Sequence, residues 1–182
     1  MRTLLINLCS NPLSELEFVK PVEQILKSHG IIFHTKHYNK VTCKDIESSD
    51  KVIICGTALK DAAFLEDLNW LIQLYEAGKP ILGIGSSSQA LVKFFNGRLI
   101  DRVKIGVFKV KVVKENRLVS KRLFQAYFLT KKVASDAGSL DILAKAGEKP
   151  CMVKHEYRDV YGCFFHPEVM NPEIILNFTL ET

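Results

Sequence analysis

His166-Pro167-Glu168 sets an imidazole two residues before a carboxylate, and three other short segments carry groups able to work with them. These are Cys9-Ser10-Asn11, Cys55-Gly56-Thr57 and Gly85-Ser86-Ser87-Ser88. A thiol or hydroxyl nucleophile, a histidine that takes its proton and an acid that orients the histidine make a unit for acyl transfer. A turn with free backbone N–H groups would complete it by holding an oxyanion. Each of the four segments follows an apolar run. In open α/β sheets ligands sit outside the carboxyl ends of the strands, so a parallel sheet would gather all four along one edge.

The elements that must do the gathering read clearly in the first half of the chain. Thr3–Leu8, Ile31–Thr35, Lys51–Cys55 and Pro80–Ile84 are short apolar runs suited to buried strands. Ser14-x-x-Glu17 has the form of a capping box before Phe18, Val22, Ile25 and Leu26 at helical spacing. Pro21 implies a kink or restart within that helix, and Gly30 its end. Leu65, Leu68, Leu71, Ile72 and Tyr75 form one apolar helical face, stopped by Gly78 and Pro80. Alternating strands and helices predict a parallel sheet covered on both faces. After Gly97, shorter strands around Gly106–Val113, Phe124–Leu129 and Cys151–His155 predict an antiparallel extension. "VYGCFFHPEV" returns to a hydrophobic strand, and Asn171-Pro172-Glu173 opens a last helix with proline at its first position.

With 182 residues, 47% hydrophobic and 25% charged, the chain has the size and composition of one ordinary globular domain, residues 1–182. Its longest apolar runs fall far short of a membrane span, and the N-terminus reads as a first strand and not as a signal peptide. Five scattered cysteines show no CxxC spacing and no paired histidines, which fits reduced thiols in a cytoplasmic protein and gives metal binding no support. No cofactor is expected. The net charge of +5 is concentrated: Arg98–Arg122 holds nine Lys/Arg against Asp101 and Glu115. Such a run can face nucleic acid, an acidic partner or an anionic ligand. Lys109 and Lys111 alternate with Phe108, Val110 and Val112, as on a half-buried strand, and no aromatic stacking series accompanies them. A solvated strand face is therefore expected there in preference to a nucleic-acid site.

Three blocks, taken together, resemble one family. "GIGSSSQAL" (83–91) and "GCFFHPEV" (162–169) are similar to two signature blocks of class I glutamine amidotransferases. That family carries Gly-Ile/Val-Cys-x-Gly-x-Gln at its nucleophile turn and Gly-Val-x-Phe-His-Pro-Glu at its last strand. "KVIICGTALKD" (51–61) falls where the family has a strand ending in Ser-Gly-Gly-Pro, and "NPEIILNF" resembles its closing helix. The chain most resembles the stand-alone amidotransferase subunit of archaeal-type guanylate synthases.

The resemblance implies a flavodoxin-like three-layer α/β sandwich, with a mainly parallel central sheet and a small antiparallel extension. It also implies a chemistry: a cysteine on the turn, activated by a histidine that a glutamate orients, attacks the glutamine side-chain amide. Backbone N–H groups hold the oxyanion, and ammonia passes to a synthetase. By that match His166 and Glu168 are the base and its orienter, while Gly56, Thr57, Ser86 and Gln89 shape the oxyanion and substrate pocket. Gly85, however, stands at the nucleophile position. Ser87 replaces the family's second glycine, and Thr57-Ala58 replace its Gly-Pro.

Substitutes for the cysteine are Ser86, one position past the turn, and Cys9, Cys55 or Cys163, none supported by spacing. The serines also suit a helix start, either as caps or as a weak carboxylate or phosphate site. Three functions follow. The first is an amidotransferase-like protein without glutaminase activity, acting as a binding or regulatory homologue toward a synthetase-like subunit or small anionic ligand. The second is an active hydrolase or transferase using Ser86 or a relocated cysteine with His166 and Glu168. The third is a basic module docking on a synthetase-like partner or nucleic acid through Arg98–Arg122.

Overall fold

The computed structural model describes residues 1–180. Nine strands form one sheet in the order β2-β1-β3-β4-β9-β8-β7-β5-β6. β1 (Arg2–Asn7), β2 (Ile32–His37), β3 (Lys51–Ile54), β4 (Ile81–Ile84) and β9 (Val160–Cys163) run parallel. β5 (Arg98–Val112), β6 (Leu123–Asp136), β7 (Leu140–Ala146) and β8 (Lys149–His155) form the antiparallel side, which joins the parallel side where β8 pairs with β9.

The central strands are buried at every position of β3, β4 and β9, as continuous apolar runs covered on both faces should be. Two neighbouring residues of β9 show the layers. Gly162 faces α5 (Ser87–Phe94): a β-carbon there would lie 3.3 Å from Ser88 Cβ. Tyr161 faces the other way and meets Phe178 of α7 (Pro172–Leu180), with ring centroids 6.3 Å apart. Because strand side chains alternate, α5 and α7 lie on opposite faces of the sheet. α4 (Asn69–Glu76) joins α5 through Tyr75, which stands edge-on to Phe94 and Phe95. The result is a three-layer α/β sandwich.

Several elements depart from the sequence expectation. The first helix is capped by Asn11, whose side chain accepts from the Leu13 amide at 2.9 Å, and not by Ser14. Pro12 follows at its first turn, so α1 (Pro12–Phe18) starts before the Ser14-x-x-Glu17 pattern and contains it. Val19 interrupts the helical run, and α2 (Lys20–Ser28) restarts with Pro21 in its first turn, as expected of that proline. A genuine capping box lies elsewhere, at Thr42 and Asp45 of α3 (Cys43–Glu47). α4 begins at Asn69; Leu65 belongs to a separate 3-10 turn, Ala63–Leu65. β5 and β6 are much longer than expected, at 15 and 14 residues. β7 was not expected at all. "VYGCFFHPEV" stays a strand only to Cys163, after which the chain turns into the short α6 (Pro167–Met170).

Candidate functional site

The carboxyl ends of β3, β4 and β9 bring the segments around Gly56, Gly85 and His166 together. Gly83 pairs with Gly162 and Ile84 with Cys163, so β4 and β9 end side by side. The Gly85 amide continues that pairing, donating to the Cys163 carbonyl at 2.7 Å. The chain then turns sharply into α5, with Gly85 at φ +59°, the left-handed region that costs other residues about 1–2 kcal/mol.

His166 leans directly over this turn. A β-carbon built on Gly85 would lie 2.6 Å from His166 Cε1 and 2.8 Å from Nε2. One built on Gly56 would lie 2.8 Å from the same Cε1. The imidazole therefore occupies the volume that a side chain at position 85 would need. Its other neighbours hold it there. Phe18 packs against the ring with centroids 5.6 Å apart, and the His166 amide donates to the Tyr127 carbonyl at 2.8 Å. Nδ1 lies 2.7 Å from Glu168 Oε1, so the carboxylate orients the ring. The side chains are 2% and 1% exposed, and neither His166 Nε2 nor Glu168 Oε2 has a hydrogen-bond partner among the described residues. A cavity of about 220 Å³ opens beside the pair, walled by Glu17, Phe18, Tyr127, Leu129 and Val169.

The serines have structural work. Ser86 is the first residue of the helix start but makes no side-chain cap; its Oγ accepts from the Thr57 amide at 3.0 Å. That bond pegs the turn after β4 to the turn after β3, and it engages a backbone N–H of the loop that the family resemblance assigns to the oxyanion. Ser87 and Ser88 are fully buried. Ser87 Oγ lies 2.8 Å from the Ile54 carbonyl and 2.9 Å from that of Ile84, and Ser88 Oγ donates to Gly83 at 3.1 Å. Both hydroxyls point at strand carbonyls, so neither is presented to an anion at the helix start. Gln89 donates to Thr130 Oγ1 at 3.0 Å and borders, with Thr57, Ser86, Asp61, Lys131 and Lys132, a recess of about 90 Å³.

The candidate substitute cysteines are buried and held as thiols. Burial pushes the Cys9 thiol up to about 11, with a hydrogen bond involving Thr57 only partly opposing it. Burial likewise raises Cys55 and Cys163 well above the ordinary range. A thiolate nucleophile needs the reverse, a lowered pKa in a positive environment.

One group at this edge had no signal in the sequence. Asp61 accepts from the hydroxyls of Ser10 and Thr57 and from the Ser10 amide at 3.2 Å, tying the end of β1 to the loop after β3. Burial disfavours its ionised form, but the hydrogen bonds from Ser10 and Thr57 outweigh that and hold its carboxyl below the usual range. Phe18 and Tyr127, which fix the imidazole, were also not anticipated. They lie on α1 and β6, and nothing local in either segment points to a histidine far along the chain.

The architecture is similar to that of several solved structures. A candidate GMP synthase component from Thermoplasma acidophilum superposes with a TM-score of 0.81 at 16% identity, covering 98% of this chain and 92% of that one. A glutamine amidotransferase from Thermotoga maritima gives 0.74 at 16% identity, over 92% of this chain and 76% of that one. A glutamine amidotransferase from Methylobacillus flagellatus gives 0.67 at 11% identity, over 100% and 75%. No curated protein matches the sequence. At such identities the structures speak for the fold alone. The family model for glutamine amidotransferase class-I matches residues 15–178, from α1 to the last helix and across all three signature blocks, and on that match the chain belongs to the class I glutamine amidotransferase family.

Proposed function

We propose that this protein is a member of the family that does not hydrolyse glutamine and serves as a binding or regulatory homologue, docking on a synthetase-like partner. The observation that carries this reading is the fit of His166 onto Gly85, with 2.6 Å between the ring and the place of a β-carbon. A base set against a bare backbone has no nucleophile to activate. Loss of one member of such a unit costs several orders of magnitude in rate. The Thr57 amide, engaged by Ser86, counts further against oxyanion chemistry. The docking part is supported by apolar side chains left in solvent: Val169, which borders the cavity, is 55% exposed, and Leu13 and Leu16 are 73% and 62% exposed on α1, the helix whose Glu17 and Phe18 border it. The likeness of the fold to a candidate GMP synthase component is consistent with a synthetase-like partner.

The test is ammonia release from glutamine by the purified chain. The expected result is release indistinguishable from a blank and unchanged by His166→Ala. Release above the blank that His166→Ala abolishes would overturn the proposal. Labelling of Ser86 or of a cysteine by an active-site-directed probe would favour the alternative hydrolase, against which the raised thiols and the Ser86–Thr57 bond count.

A further inference from the structure

The basic run after Gly97 takes no part in the site around His166, yet the fold concentrates part of it in one place. Along β5 and β6, Asp101 pairs with Lys132 and Lys104 with Thr130, so Arg102 and Val103 together oppose Lys131 alone. Such a bulge bends the strand and re-aims its side chains. Facing it is the tight β7–β8 turn, in which Ala146 pairs with Lys149 across Gly147-Glu148. Between bulge and turn lies a recess of about 410 Å³, bordered by Arg102, Lys104, Lys109, Lys149, Glu148 and Phe108. Four cations and one carboxylate leave a net of three positive charges around it.

None of these five charged groups belongs to an ion pair among the described residues. Lys104 is the most constrained. Its ammonium lies 4.6 Å from the Phe108 ring centre and 4.5 Å from that of Phe128, and it donates to the Ala146 carbonyl at 3.2 Å. Burial, with Arg102 adding to it, pushes its pKa down. An ammonium held against two rings without a carboxylate would be better stabilised by an anion entering from the open side.

We propose that this recess is a binding site for a small phosphate-bearing anion. Phosphate presents several acceptor oxygens that a guanidinium and ammonium groups can engage together. The volume lies in the range of small-molecule sites, roughly 300–1,000 Å³, and the hairpin turn Gly147-Glu148 forms part of its border. Phe108, 37% exposed, and Val103, 67% exposed, provide an apolar wall for the organic part of the ligand. This site is separate from the His166 cavity, and its existence does not depend on whether glutamine is hydrolysed.

The experiment is titration of the full chain with AMP and with pyrophosphate, followed by calorimetry, alongside Arg102→Glu, Lys149→Glu, Lys104→Met and the control Lys121→Glu, each checked by circular dichroism. Saturable binding of either probe is expected. Arg102→Glu and Lys149→Glu should each weaken it by about tenfold or more, the loss expected for one charge-assisted contact, and Lys121→Glu should leave it unchanged. Absence of saturable binding by both probes would overturn the proposal, as would equal weakening by Lys121→Glu. Tight binding of a short single-stranded RNA with no response to either small probe would also overturn it, assigning the patch to nucleic acid.

Discussion

At position 85 two costs meet in one residue. The backbone is left-handed, φ +59°, and the β-carbon direction ends in the ring of His166. The ring cannot swing aside freely, because Glu168 holds Nδ1 and Phe18 packs against it in a tilted arrangement. Gly85→Ala should therefore lower stability by about 2–4 kcal/mol, combining backbone strain with overpacking. The two contributions separate in a double-mutant cycle with His166→Ala. The double variant should lose less than the sum of the single losses, because the clash disappears and only the strain of about 1–2 kcal/mol remains. Urea unfolding of the four proteins measures this. Strict additivity would mean that the imidazole does not press on the turn. The same contact explains why the sequence was informative here: the block from Gly83 to Gln89 and His-Pro-Glu are local patterns tied to strand ends, and the ends of β4 and β9 are neighbours in register. What could not be read was the distance between them, since a ring rotated away from Gly85 would have the same sequence.

Among the elements, the strand-end loops position the site and depend on one exposed-edge carboxylate. Asp61 links Ser10 after β1 to Thr57 after β3, and Thr57 in turn donates its amide to Ser86 at the start of α5. Since its pKa is lowered in the folded state, ionised Asp61 stabilises the fold above the unfolded-chain value of about 3.9. That contribution fades as pH falls through the lower folded value, where the group is protonated in both states. Asp61→Asn should thus be less stable than the parent protein near neutral pH, by no more than about 1 kcal/mol for so solvent-screened a group. The gap should close on acidification. Urea midpoints of both proteins from neutral pH to below pH ~4 test this, and a gap independent of pH would refute the role of the charge. Elements with uniform burial, such as β3, β4 and β9, were legible as apolar runs. β7 was not, because register shifts after Ile142 and after Ala144 break its alternation, leaving Leu140 and Leu143 buried out of phase. The first part of β5, before the expected strand around Gly106–Val113, hides in the same way behind irregularities at Arg98/Leu99 and Asp101/Lys104. The helix start was misplaced for another reason: Asn11-Pro12 and Ser14-x-x-Glu17 are both valid start signals, and the one nearer the strand end prevails.

On the scale of the whole molecule, the question is whether the parallel and antiparallel sides of the sheet unfold together. Among the described residues their strands join where β8 pairs with β9, but the core is shared across that junction. Phe128 of β6 is 1% exposed and stands edge-on to Phe165, at 5.7 Å, just beyond the end of β9. Phe165 also meets Phe124, and the next residue is His166. The antiparallel side thus carries part of the core that supports the parallel side's strand ends, and we expect one cooperative unit. The single tryptophan, Trp70, reports on the far side: it lies on α4, stands edge-on to Tyr38 and donates to the Phe64 carbonyl at 3.1 Å. Phe128→Ala should cost about 3–5 kcal/mol as a large-to-small core substitution. If the sheet is one unit, it should lower the urea midpoint seen by Trp70 fluorescence by the same amount as the midpoint seen by far-UV circular dichroism, although residue 128 lies on the other side of the sheet. A fluorescence midpoint left in place while the dichroism shifts would show that the antiparallel side folds as a separate unit resting on the parallel one. The ring of His166 would then owe its position over Gly85 to a docking contact, since its amide hydrogen bond to Tyr127 comes from β6.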